Sequence, residues 1–273
     1  MLAQLLLSDQ GSGVDSMTDR SGPSARHRVS VDTPRTVSWS AGVLRYEPTM
    51  LADAAARRII GLVANTIARR GGCTLALAGG ATPRPVYGCM AIAPLVDEVA
   101  WDRVTVYFGD ERCVSPEAKE SNYRMAREAL LRHEPVRRAT VHRMQGERAD
   151  PDAAAQDYER HLPAALDLLL LGMGEDGHTA SLFPRSPAVA ERVRRVVAVT
   201  RPTPQRPRLT ITPRVIHAAS NVIVLLSGAD KAATVAKALE GPYVPDRLPI
   251  QLALRGTWLM DDAAARELEG FEP

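Results

Sequence analysis

Two hydrophobic rhythms trade places along this chain. From Met50 to Arg70, Leu51, Ala55, Ile59, Leu62, Val63 and Ile67 recur near helical spacing, and Gly71-Gly72 stops the run. Short apolar runs at Cys73–Ala78, Arg103–Phe108, Leu168–Leu171, Val193–Thr200, Leu209–Thr212, Val222–Leu226 and Trp258–Met260 read as strands. Between them lie helical stretches: one from Arg84, one over Asn122–Arg132 behind a Ser121 cap, and one over Asp152–His161 after Asp150-Pro151. Others cover Pro213–Ala219, Ala229–Leu239 and Asp261–Leu268. Val37–Ser40 and Val43–Tyr46 read as short strands about Ala41-Gly42, Val141–Met144 as another, and Leu248–Leu254 as a short helix or an extended rim. Strands alternating with helices predict an α/β fold with a mostly parallel sheet and helices on both faces.

Composition narrows the class. A length of 273 residues with no Pro/Gly/Ser-rich linker in its middle predicts a single domain over 36–273. The first 35 residues, polar and without periodicity, are expected to form a disordered tail outside it. The longest apolar runs are far too short to span a bilayer, and Met1–Leu7 lacks the basic start and length of a secretion signal. A cytoplasmic protein with no membrane partner is expected. Cys73, Cys89 and Cys113 form no C-x-x-C pair, which fits a reducing compartment and no structural zinc. A net charge of +2 with no basic run argues against a nucleic-acid partner. No exposed apolar stripe can be read, so a monomer is the default. The basic residues are almost all arginine, with lysine only at Lys119, Lys231 and Lys237. Each retained lysine is therefore noticeable.

The most informative stretch is Asp167–Pro184, DLLLLGMGEDGHTASLFP. An apolar strand empties into Gly172, Gly174 and Gly177, with Asp176 and His178 flanking the last glycine. A buried parallel strand thus carries a charged pair to the carboxyl edge of a sheet, where α/β proteins hold their ligands. The spacing also matches a dinucleotide-binding G-x-G-x-x-G, but Pro184 follows Gly177 too soon for a long helix, and Glu191 precedes the next strand instead of ending it. Asp176 would also lie beside a pyrophosphate. Histidine is the only type of side chain whose unperturbed pKa sits near neutrality, and Asp176 is placed to fix the tautomer of His178. The segment reads as an acid–base site.

Other strand ends carry polar clusters. Gly79-Gly80-Ala81-Thr82-Pro83 lies between strand and helix, where glycine amides and the Thr82 hydroxyl can meet an anion and Pro83 suits the first helical turn. A tight strand-to-helix turn would use the same residues. Gly109-Asp110-Glu111-Arg112 brings two carboxylates and a guanidinium, which a solvated salt-bridged loop would also contain. Arg208 precedes one strand and Lys231 follows another, a planar fork and a point charge for phosphate oxygens. Taken as strand ends of one parallel sheet, they supply a phosphate clamp beside a His/Asp pair. Tyr87, Tyr123, Phe183 and Trp258 are expected to pack in the core or rim.

LALAGGATPRPVY (Leu75–Tyr87), VYFGDERCV with SNYR, LLLGMGEDGHTASLFP, RLTIT, SGADKA and LPIQL together make the chain resemble the 6-phosphogluconolactonases of the sugar-phosphate isomerase/deaminase superfamily, from about Val37 to Ala265. The G-x-G-x-D-G-H block is shared with glucosamine-6-phosphate deaminases; T-A-S-L-F-P and D-E-R with S-N-Y point to the lactonases. The resemblance implies a three-layer α/β/α sandwich with a modified Rossmann-like sheet. It also implies hydrolysis of 6-phospho-D-glucono-1,5-lactone, with neither metal nor organic cofactor. It makes His178 the general base, Arg208 and Lys231 the phosphate-binding pair, and Gly79, Gly80 and Thr82 the phosphate loop. Asp176 would orient the imidazole, Asp110 would join the substrate-binding set, and Arg112 or a backbone amide of the Gly172–Gly177 loop would meet the developing oxyanion. A lactone is an activated ester, so a positioned water and a base suffice. The family loop usually reads G-G-S-T-P, and Ala81 replaces its serine. One hydroxyl donor is lost, worth ~1.5–3 kcal/mol if it bonded a charged oxygen.

Two rivals remain. An aldose–ketose isomerase or deaminase would need a proton shuttle, for which Asp110 is the candidate; a sugar-phosphate sensor would be expected to have lost its base or clamp.

Overall fold

The computed structural model describes residues 42–200 and 206–269. The expected tail over 1–35 and the expected strand Val37–Ser40 lie outside them. Among the described residues, seven strands form one parallel sheet: β1 (Val43–Tyr46), β2 (Cys73–Leu77), β3 (Val104–Phe108), β5 (Thr140–Val141), β6 (Leu168–Leu171), β9 (Asn221–Leu226) and β10 (Thr257–Asp261), in the order β1-β10-β9-β6-β2-β3-β5. β6 is the middle strand and all of its leucines are buried, as a strand covered on both faces requires. Helices α1 (Leu51–Arg70), α2 (Pro83–Met90), α3 (Asn122–Ala126), α4 (Pro151–His161), α5 (Pro213–Ala218), α6 (Ala232–Glu240) and α7 (Asp262–Ala265) complete the α/β architecture. α1 buries Leu51, Ala55, Ile59, Ile60 and Val63, while Leu62 and Ile67 lie at the margin of that stripe. It ends at Gly71, left-handed at φ 79°, whose N–H bonds the Ile67 carbonyl at 2.7 Å.

The amino ends of the central strands are pinned by one residue. Asp167 accepts the Thr74 N–H at 2.9 Å and its hydroxyl at 2.8 Å, and pairs with Arg70. Its own carbonyl accepts from the Asn221 backbone at 3.1 Å and side chain at 2.9 Å, tying β2, β6 and β9 together. At the carboxyl ends, two buried tyrosines take up strand groups that would otherwise lack partners. The Tyr87 hydroxyl accepts the Ala78 N–H at 2.9 Å and donates to the Ala78 carbonyl at 2.8 Å. Tyr158 does the same for Phe108, at 2.8 and 3.1 Å. Burial pushes both phenols above their ordinary pKa, so they remain donors. Tyr87→Phe leaves a buried amide and carbonyl unpaired and is expected to cost about 1–3 kcal/mol of stability. Urea unfolding measures it, and an unchanged midpoint would contradict the account.

The structure departs from the sequence reading at several elements. Gly109-Asp110-Glu111-Arg112 is not a loop: after Gly109 the chain stays extended as β4 (Asp110–Arg112). β4 pairs antiparallel with β8 (Arg208–Ile211), placing Arg112 opposite Arg208, and β8 pairs antiparallel with β7 (Val196–Val199). Arg208 therefore enters from a second, three-stranded sheet and not from an end of the parallel one. The expected helix Asn122–Arg132 is helical to Leu131, as an α-helix to Ala126 and as a π-helix over Arg127–Leu131. Its Ser121 cap is present, accepting the Arg124 N–H at 3.1 Å. Of the expected strand Val141–Met144 only Val141 lies in a strand, β5, which it forms with Thr140 at an exposed sheet edge. Ala229–Lys231 is a 3-10 turn before α6, and Pro249–Ala253 another where a rim was one alternative. Tyr87, Phe183 and Trp258 are buried, as expected of packing residues, and Tyr123 is partly so.

Candidate functional site

A cavity of about 530 Å³ opens at the carboxyl ends of β2, β6 and β9. The strand order changes direction between β6 and β2, which is where α/β sheets leave a crevice. Gly79, Gly80, Thr82, Asp110, Arg112, His178, Arg208 and Lys231 all line it. Asp176 reaches it through His178.

The loop after β6 is tied to itself. Gly174 N–H bonds the His178 carbonyl at 2.9 Å, Gly177 N–H bonds the Gly174 carbonyl at 3.0 Å, and the Thr179 hydroxyl bonds the Gly172 carbonyl at 2.8 Å. No helix follows within Gly172–Pro184, which removes the dinucleotide reading. The imidazole lies over Gly174, where a Cβ would sit 2.1 Å from its Nδ1 and Cε1. Only glycine leaves room for the ring. Nδ1 of His178 is 2.5 Å from Asp176 Oδ1, which also accepts the His178 N–H at 3.1 Å. A carboxylate acceptor there assigns the proton to Nδ1 and leaves Nε2 with a lone pair. The ring rests 4.9 Å from the buried Phe183 ring, and Arg208 Cζ lies 5.4 Å from that same ring. Phe183 is thus a shared floor for the imidazole and the guanidinium.

Asp110 joins three parts of the site. Its Oδ2 accepts the Ser181 hydroxyl at 2.6 Å, its Oδ1 accepts Asn122 Nδ2 at 2.9 Å, and Arg208 Nη1 stands 4.0 Å away. Asn122 in turn fills the space over Gly79, where a Cβ would lie 2.0 Å from its Oδ1. Glu111, next along β4, faces the start of α3. It accepts from the Ser121 hydroxyl and the backbone amides of Arg112, Asn122 and Tyr123 at 2.7–2.9 Å. Burial pushes its carboxyl above the ordinary range in spite of those donors. Arg112 Nη1 donates to the Glu120 carbonyl, and its buried Nε has no hydrogen-bond partner.

Past β9, Asp261 accepts the Ser227 hydroxyl at 2.5 Å and the Gly228 N–H at 3.0 Å, holding the turn that carries Lys231. Lys231 Nζ lies 2.9 Å from Asp230 and 3.9 Å from Glu175. Sequence reasoning gave no role to Asn122, Ser181 or Asp230. The S-N-Y and T-A-S-L-F-P motifs were the only signal for the first two, and Asp230 offered none beyond its neighbour.

Among the described residues no cluster of three or more His, Cys, Asp or Glu is placed to hold a metal ion, and no helix is long and apolar enough to cross a membrane. Burial pushes the Cys73 thiol up to about 12, which makes it an inert core group.

Comparison with known proteins gives a consistent result. The family model described as glucosamine-6-phosphate isomerases/6-phosphogluconolactonase matches residues 46–260. A 6-phosphogluconolactonase of a Synechocystis strain is 37% identical over 219 residues, covering 76% of this chain and 89% of its own. The crystal structure of 6-phosphogluconolactonase from Leishmania guyanensis superposes with a TM-score of 0.72 at 30% identity, covering 86% of this chain and all of the other. A monomeric glucosamine-6-phosphate deaminase shares the fold, with a TM-score of 0.69 at 24% identity over 83% of this chain and 99% of that one. With its central parallel sheet and the match spanning β2 through β9, the chain belongs to the family of glucosamine-6-phosphate isomerases and 6-phosphogluconolactonases.

Proposed function

We propose that the chain is a 6-phosphogluconolactonase, hydrolysing 6-phospho-D-glucono-1,5-lactone to 6-phospho-D-gluconate in the oxidative pentose phosphate pathway, with water activated by His178. The observation that carries this reading is the Asp176-oriented imidazole of His178 in one cavity with Arg208, Lys231 and the Gly79–Thr82 loop. Nε2 takes a proton from water as its oxygen adds to C1 of the lactone. Asp176 stabilises the imidazolium that forms. The carbonyl oxygen becomes an oxyanion, which we assign to Arg112. Of the alternative donors in the Gly172–Gly177 loop, the Gly174 and Gly177 amides are already bonded inside it. Collapse of the tetrahedral adduct re-forms C=O and breaks the bond from C1 to the ring oxygen. That oxygen takes the proton back from His178 and leaves as the C5 hydroxyl. The 6-phosphate, held by Arg208, Lys231 and the loop, supplies orientation that lowers the barrier at C1.

The isomerase or deaminase reading requires a free base at Asp110, and both oxygens of that carboxylate already accept protein hydrogen bonds. A sensor without chemistry has no use for an oriented His/Asp pair. Making the lactone in situ with glucose-6-phosphate dehydrogenase and following product with 6-phosphogluconate dehydrogenase, against a blank for spontaneous opening, tests the assignment directly. A rate equal to the blank would refute it.

Ala81 lines the cavity beside Gly80 and Thr82. Ala81→Ser restores a donor there and is expected to lower KM for the phosphorylated lactone by about tenfold, with little change in kcat. An unchanged KM would mean that position 81 does not meet the phosphate.

A further inference from the structure

The clamp's lysine already has anionic company inside the cavity. Asp230 lines the same cavity as Lys231 and holds its Nζ at 2.9 Å, and Glu175 stands 3.9 Å from that Nζ. This contact is built into the turn. Gly228, at φ 101°, lets the Asp230 carboxylate fold back over its Cα, where a Cβ would lie 2.5 Å from Oδ1. Asp261 fixes the Gly228 amide from behind. Lys231 depresses the Asp230 carboxyl below its usual range, so it is ionised at neutral pH. A phosphate reaching Lys231 therefore arrives beside a like charge.

We propose that Asp230 is a built-in counterion that competes with the substrate's phosphate for Lys231 and so sets how strongly the site favours phosphorylated over neutral lactones. This rests on the lactonase reading above. The competing carboxylate keeps Lys231 in place when the site is empty, and it weakens the hold on the phosphorylated product, which carries the same phosphate as the substrate. The design trades ground-state affinity for turnover, since tight uniform binding lowers KM without raising kcat.

The test is Asp230→Asn, with Asp230→Glu as the charge-retaining control. Asp230→Asn removes one like charge near a dianion, and KM for 6-phospho-D-glucono-1,5-lactone should fall by about three- to tenfold. kcat/KM for unphosphorylated D-glucono-1,5-lactone should change by less, and Asp230→Glu should give a KM above that of the Asn variant. Calorimetric titration with 6-phosphogluconate should show tighter binding to Asp230→Asn than to the unsubstituted chain. An unchanged or raised KM, equal gains on both lactones, or unchanged 6-phosphogluconate affinity would overturn the proposal. A merely structural role would raise KM and not lower it. If the unsubstituted chain opens no lactone, the parent reading fails, while the titration still reads the counterion.

Discussion

His178→Ala is expected to lower kcat/KM for the phosphorylated lactone by about 10²–10⁴-fold, the contribution of a positioned general base. The loss should fall on kcat, because the imidazole acts on water and not on the phosphate. Binding of 6-phosphogluconate should persist, since Arg208, Lys231 and the glycine loop belong to other elements. Folding should also persist: the ring is held by Asp176 and Phe183 at the cavity wall, and the truncation opens onto solvent instead of emptying the core. The coupled assay gives the rate and calorimetry the affinity. A variant that keeps most of its activity would remove His178 from the mechanism and leave the oriented imidazole unexplained.

Lys231→Met is the second large effect. It keeps the stem and deletes the charge, and kcat/KM for the phosphorylated lactone is expected to fall about 10–100-fold, as loss of a charge-assisted hydrogen bond predicts. The unphosphorylated lactone should be little affected, so the ratio of the two specificity constants carries the result. Asp230 would lose its partner but is half exposed, and water can solvate it without a large stability cost. Equal loss on both lactones would mean that Lys231 shapes the turn and does not read the phosphate.

Much of this was legible in the chain because the chemistry sits where local sequence rules are strongest. The four leucines of β6 followed by glycines could be little other than a buried strand meeting an edge, and His178 with Asp176 lies two residues apart. The second sheet was not legible. β4 is three residues long and carries charges, so it has the composition of a loop, and its strand character comes from pairing with β8, almost a hundred positions away. Asn122 and Ser181 lay in motifs that marked the family, but what they touch was hidden for the same reason. Each acts by meeting Asp110, Asn122 from the start of α3 and Ser181 from the loop after β6, and no spacing in a single sequence encodes that meeting. The π-helix after α3 likewise has no periodic signature that separates it from an ordinary helix.

Asp167 sits at the edge of the sheet opposite the cavity. The sheet thus carries one of its ties at the rim away from the chemistry, and substitutions in the cavity loops leave that tie untouched. Such a separation makes a chassis evolvable: loops above β2, β6 and β9 can be rewritten one at a time, and a single scaffold can come to serve both a ring-opening hydrolase and an amino-sugar isomerase, the pair of trades that the family's description joins.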